Sequence, residues 1–202
     1  MVGWCHPIKQ GTEENAMANT TKQALEASLK KMMLQKPLDK ITIHDITADC
    51  GISRMAFYYH FKDIYDLIEW SCIEDATQVL QGKKTYDTWQ EGLSQIFEAV
   101  LENKPFVLNA CRCISRDQME RFLYRLTYGL IRGVVDEQSR GISVTEADKT
   151  FIAEFYKYSF VCILLDWIRQ GMTADYHDIV RRISLTMQGN VANSLHNFAA
   201  AH

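Results

Sequence analysis

The sequence predicts an all-α fold of about nine helices: an N-terminal three-helix bundle followed by a larger C-terminal helical domain. Three observations predict it. Hydrophobic residues make up 47% of the 202 positions and prolines number only three, which suits long helices with few breaks. Apolar residues recur at spacings of three and four, and no strand-like alternation runs beyond a few residues. Helix-starting residues also punctuate the chain at Thr42, Ser53, Asp63, Ser115, Thr145 and Asp175.

Residues 1–17 read as a flexible tail, because Gly3, Pro7 and Gly11 interrupt any helical period. Met17-Ala18-Asn19 suits an initiator, so no function is assigned to residues 1–16. The first helix is expected from Thr20 or Thr21 to Gln35, with Leu25, Leu29, Met32 and Met33 as its core stripe and Pro37 ending it. Two short helices follow within residues 18–64, the first domain. Residues 65–200 form the second. A helix from Asp63 to about Gly82 joins the two, and further helices are predicted over Thr85 to Asn103, Phe106 to Cys113 and Ser115 to Ser139. The last two are expected over residues 145–171 and 175–198.

The chemistry concentrates in Thr42–Lys62, TIHDITADCGISRMAFYYHFK. Thr42 with Asp45 makes a near capping box, and Ile43 and Ile46 give the short helix an apolar edge. Gly51 supplies the positive φ that a tight interhelical turn requires. Ser53 caps the next helix, which buries Ala56 and Phe57, with Phe61 beyond its end. Arg54, Met55, Tyr58, Tyr59 and His60 remain on its outer side, a set better suited to a DNA groove than to plain solvent. This is the pattern of a helix-turn-helix, in which the first helix braces the second against base edges. An ordinary helical hairpin carries the same helix-glycine-helix outline.

The run from Asp45-Ile46 through Gly51-Ile52-Ser53 to Phe57-Tyr58-Tyr59-His60-Phe61-Lys62-Asp63 resembles the DNA-binding signature of TetR-type transcriptional regulators, with Tyr58–Phe61 its most specific part. Together with the preceding helix, the resemblance covers the first third of the chain. The remainder resembles more loosely a subgroup that includes dihydroxyacetone-kinase operon activators, through Glu102-Asn103-Lys104, Phe151–Tyr156 and Trp167–Met172. The resemblance implies a cytoplasmic homodimer, paired through the last two helices, on a palindromic operator in double-stranded DNA. It further implies control by a small-molecule effector or, alternatively, a co-activator role with a separate sensor protein bound to the C-terminal domain. It places phosphate, sugar and some base contacts at Thr42, Ser53, Tyr58, Tyr59, His60 and Lys62. Ile64 stands where the family often has a second lysine, which removes one phosphate contact.

Arg54 can reach guanine O6 and N7 bidentately and Met55 can pack on a thymine methyl, although Arg54 could equally hold phosphate alone. His60 could instead act as a helix C-cap. Charge division agrees with a reading head: residues 19–64 hold seven Lys/Arg against five acids, hence +2, while the chain totals −3. Phe97, Phe106, Phe122, Tyr128, Phe155 and Tyr158 are candidate lining for an effector pocket. Cys111 and Cys113 stand i and i+2 on a helix, about 200° apart around its axis, and no His or Asp within one turn completes a metal site. Arg112 and Arg116 leave redox sensing as the other reading of these thiols. No secretory signal or disulfide framework accompanies the six cysteines, which points to a reducing cytosol. No metal, cofactor or catalytic constellation is expected, hence no enzyme. The most apolar run, 151–168, carries Glu154, Lys157 and Asp166, so no membrane span is expected either.

Overall fold

The computed structural model describes residues 10–79, 85 and 87–201, except for the side chains of 10–18, 76, 78 and 79. Within those residues there are ten α-helices, one 3-10 turn and no strand. The helices are α1 (Gln10–Met33), α2 (Ile43–Cys50), α3 (Arg54–His60), α4 (Ile64–Val79), α5 (Trp89–Glu102), α6 (Lys104–Cys113), α7 (Arg116–Gln138), α8 (Glu146–Arg169), α9 (Tyr176–Met187) and α10 (Asn190–Ala201). The chain divides into two compact units inside α4, between Ser71 and Cys72, rather than after Ile64. The first turns of α4 belong to the head because Leu67 and Ile68 are buried there and the Ser71 hydroxyl donates to Glu26 at 2.6 Å.

In the first unit the predicted stripe holds: Leu25, Leu29 and Met33 are buried and Met32 half-buried. Each fully buried leucine contributes roughly 1.5–3 kcal/mol relative to exposure. Ile46, Phe57 and Phe61 complete the core with Leu38 and Ile41. The helix starts at Gln10 instead of Thr20, so residues 10–17 are helical and not a tail. Gly11 lies in the first turn, where N–H groups lack intrahelical acceptors anyway. Glu13 and Glu14 follow near the positive end of the helix dipole. Residues 1–9 of the expected tail lie outside the described residues.

The second unit is centred on the α7–α8 pair, with α5, α9 and α10 around it. Trp89 stacks on Phe160 at 6.1 Å, and Phe97 meets Trp167 at 5.1 Å. The Trp167 indole N–H donates to the Ala174 carbonyl at 2.9 Å, so its burial leaves no orphan donor. Ser115 and Gln118 form a full capping box on α7, and Thr145 caps α8 as expected. The helix expected at Thr85 begins at Trp89, whose N–H donates to the Thr85 carbonyl at 2.9 Å. The expected end of α4 near Gly82 falls outside the described residues. The last predicted helix is two: Gly189, with φ 74°, separates α9 from α10. An all-α fold thus stands, with one helix more than expected.

Candidate nucleic-acid interface

Thr42 accepts from the Asp45 N–H at 3.1 Å while the Asp45 carboxylate accepts from the Thr42 N–H at 3.0 Å, a complete capping box. Lys36 adds a 3.0 Å ion pair to that carboxylate. The Thr42 N–H first, then Lys36, lower the Asp45 pKa to about 2. The Ser28 hydroxyl donates to the Ile46 carbonyl and Lys31 pairs with Asp49, so α1 holds α2 at its middle and near its C-terminal end. Gly51 leaves α2 at φ 68°, and the Ile52 N–H donates to the Thr47 carbonyl at 3.0 Å. Thr47 is buried and donates to Ile43 and His44 carbonyls on its own helix.

Ser53 then caps α3 by accepting from the Ala56 N–H at 3.1 Å. Phe57 anchors the helix with no exposure at all, and Phe61 follows at 5.9 Å between ring centres. Fixed in this way, α3 presents Arg54, Met55, Tyr58 and Tyr59 to solvent. Met55 is 84% exposed and Tyr59 83%, values that no packing role in this chain explains. Among the described residues no acid pairs with Arg54 or Lys62, whereas Lys31 and Lys36 are neutralised by Asp49 and Asp45. The cationic groups left open therefore flank the exposed face of α3. His60 is half-buried, and burial, then Lys22, lowers its pKa, so it is neutral at pH 7 rather than a cationic C-cap. Lys22 itself lies over Phe61 and Trp70, at 5.9 and 5.6 Å from their centres, a contact that sequence reasoning missed because it pairs residues far apart in the chain.

The six aromatics suggested as a pocket lining separate in the structure. Phe106 and Phe122 line one pocket of about 100 Å³, with Ile96, Val100 and Leu126. Phe155 lines a groove between α8 and α9, Phe97 is core, and Tyr128 and Tyr158 enclose the buried Lys157. That ammonium lies 4.3 to 5.6 Å from three tyrosine ring centres (Tyr124, Tyr128, Tyr158) and 3.5 Å from Glu154. Of five aromatics along α8, Phe151, Phe155 and Tyr158 are exposed, while Phe160 and Trp167 are buried.

Cys111 is half-buried, and that burial pushes its thiol pKa up, away from the reactive thiolate. A Cys111→Ser/Cys113→Ser variant should accordingly release DNA no differently under peroxide or zinc. A response lost in a binding titration with either agent would make these thiols sensors.

A sequence profile described as "Bacterial regulatory proteins, tetR family" matches residues 26–69, and one described as "Transcriptional regulator C-terminal region" matches residues 87–189. The chain belongs to the TetR family of transcriptional regulators. The "Uncharacterized HTH-type transcriptional regulator YerO" of Bacillus subtilis (strain 168) is 21% identical over 164 residues. That alignment takes in 73% of this chain and 57% of the relative, so the regulator spans little more than half of YerO's length. The solved structure of "Dihydroxyacetone kinase operon activator DhaS" superposes with a TM-score of 0.66 at 19% identity, covering 85% of this chain and 96% of that one. A TetR transcriptional regulator from Streptococcus agalactiae 2603V gives 0.55 at 21% identity, with 88% and 98% covered. Both likenesses concern the fold. Among the regulator's described residues, no helix is long and apolar enough to cross a membrane.

Proposed function

We propose that this TetR-family regulator works in the cytoplasm as a homodimer on a palindromic DNA operator, and that a small effector held in its second unit controls that binding. The observation that carries the DNA reading is the exposed face of α3: an arginine, a methionine and two tyrosines on a short helix capped and anchored from behind. In this reading Arg54 and Met55 meet base edges. Thr42, Ser53, Tyr58, Tyr59, His60 and Lys62 hold phosphate and sugar.

Dimerisation through α8 with α9 and α10 is supported by the apolar side chains those helices leave uncovered. Phe151 and Phe155 on α8 and Leu185 on α9 are each about 60% exposed. Beside them a groove of about 460 Å³ is walled by Phe160, Ile163, Ile179 and Ile183. One recognition helix touches too few base pairs for useful selectivity, and two-fold pairing doubles the contacts. Light scattering without DNA should give a dimer, and Phe155→Glu should give a monomer. A monomeric parent protein at micromolar concentration would remove the two-half-site reading.

The effector reading is supported by the pocket beside Phe106 and Phe122. Cys72 and Asp75 of α4 also line it, and the earlier turns of that helix belong to the head. The likeness to DhaS, an operon activator by name, goes with a second reading, a co-activator with a separate sensor protein. Co-purification of a partner would favour it, and a ligand-induced thermal shift the first.

A further inference from the structure

Resting on the effector reading above, we propose that two neighbouring pockets of the second unit form one ligand site partitioned by Met119. Its ligand is an uncharged, mostly apolar molecule of about two fused rings. The first pocket, of about 100 Å³, is walled by Ile96, Val100, Phe106 and Phe122. The second, of about 130 Å³, is walled by Cys111, Ile114 and Leu165, with Arg116 and Arg169. Met119 and Ile168 line both. Ile168 is buried in the core on α8 and β-branched, so it is stiff. Met119 is half-buried, unbranched and able to repack, which makes it the movable part of the partition.

Size follows from comparison with a cavity of known capacity. An apolar cavity of ~150 Å³ accommodates benzene. Each pocket alone is smaller than that, and the two together exceed it. With Met119 swung aside, the joined space is large enough for a fused pair of rings.

Charge is settled by what the walls already pair. Arg116 lies 2.6 Å from Glu120 and Arg169 lies 3.0 Å from Asp166, so neither guanidinium offers the second pocket an uncompensated charge. The Asn103 amide donates to the Ala99 carbonyl of its own helix at 2.8 Å. Asp75 has an interaction of its own, and burial raises the Cys111 thiol pKa and keeps it protonated. A charged ligand would enter an apolar space without a counter-ion, which costs far more than its contacts return.

Isothermal titration of the full-length protein with indole tests the proposal, with indole-3-acetate as its anionic and tryptamine as its cationic counterpart. Indole should bind saturably, and both charged molecules at least about tenfold more weakly. Ala99→Leu, which fills the first pocket, and Cys111→Leu, which fills the second, should each weaken indole by a similar factor. Met119→Ala should not weaken it. Cys111→Leu suffices alone if Ala99→Leu does not fold, as judged by circular dichroism. Indole binding untouched by Cys111→Leu would show that the pockets are separate. Equal binding of a charged analogue would overturn the neutral class, and no binding of any probe would remove the site. DNA binding measured on the same preparation stands or falls independently of these results.

Discussion

Phe57→Ala should cost the first unit about 3–5 kcal/mol and abolish DNA binding while leaving the second unit folded. Phe57 has no exposed surface and touches both Tyr58, at 5.6 Å, and Phe61, at 5.9 Å between centres. Phe61 in turn meets Trp70 at 5.7 Å, so one ring links α3 to the base of α4. The seven residues of α3 are too few to remain helical on propensity alone. The Ser53 cap contributes only about 1 kcal/mol, so tertiary packing through Phe57 has to supply the rest. Tyr59→Ala is the matched control, because an 83% exposed side chain contributes little to stability. Amide hydrogen exchange reads the two units separately. In Phe57→Ala, protection should fall across α1–α3 and persist over residues 89–201. Full protection of α3 in the variant would show that other contacts hold it.

The parts of this fold that were legible in the sequence are those governed by local chemistry. The Thr42–Asp45 box, the left-handed Gly51 and the Ser53 cap each depend on residues within four positions of one another, and all three are present. The errors arose where a local signal was weak or overruled. Gly11 read as a breaker, yet at the first turn of a helix a glycine gives up no hydrogen bond, and α1 passes through it. Gly189 gives no visible break because apolar spacing continues on both sides of it, through Val180, Ile183 and Met187 and again through Val191 and Leu195. What the sequence could not supply was which distant side chains meet. Tyr124 and Tyr128 are one turn apart on α7, but nothing in their spacing announces a buried lysine from α8 between them. For the same reason an aromatic roll could not separate Phe106 and Phe122, which share a pocket, from Phe97, which fills core.

Within α3, Arg54→Ala should weaken binding to the operator by about 1–3 kcal/mol and to scrambled DNA by much less, because the contact proposed for it is to a base edge. Arg54 stands at the first position of the helix, beside the Ser53 cap, the end of a recognition helix that meets base edges in helix-turn-helix proteins. Lys62→Ala should weaken both duplexes by a similar factor and reduce the slope of log affinity against log salt by about one, since one fewer counterion is displaced. Lys62 is exposed just before α4, where its own N–H donates to Asp66 at 2.9 Å and fixes the backbone. That bond fixes the Lys62 backbone and leaves its ammonium out of any ion pair with an acid of the described residues. Ser53→Ala combines the two classes: about 1 kcal/mol of lost cap, visible in thermal melting without DNA, plus any phosphate contact. Titrating each variant on operator and scrambled duplex over a series of salt concentrations separates these effects. If Arg54→Ala weakens both duplexes equally, Arg54 is a phosphate anchor, and base reading passes to Met55 and Tyr58 on the same exposed face.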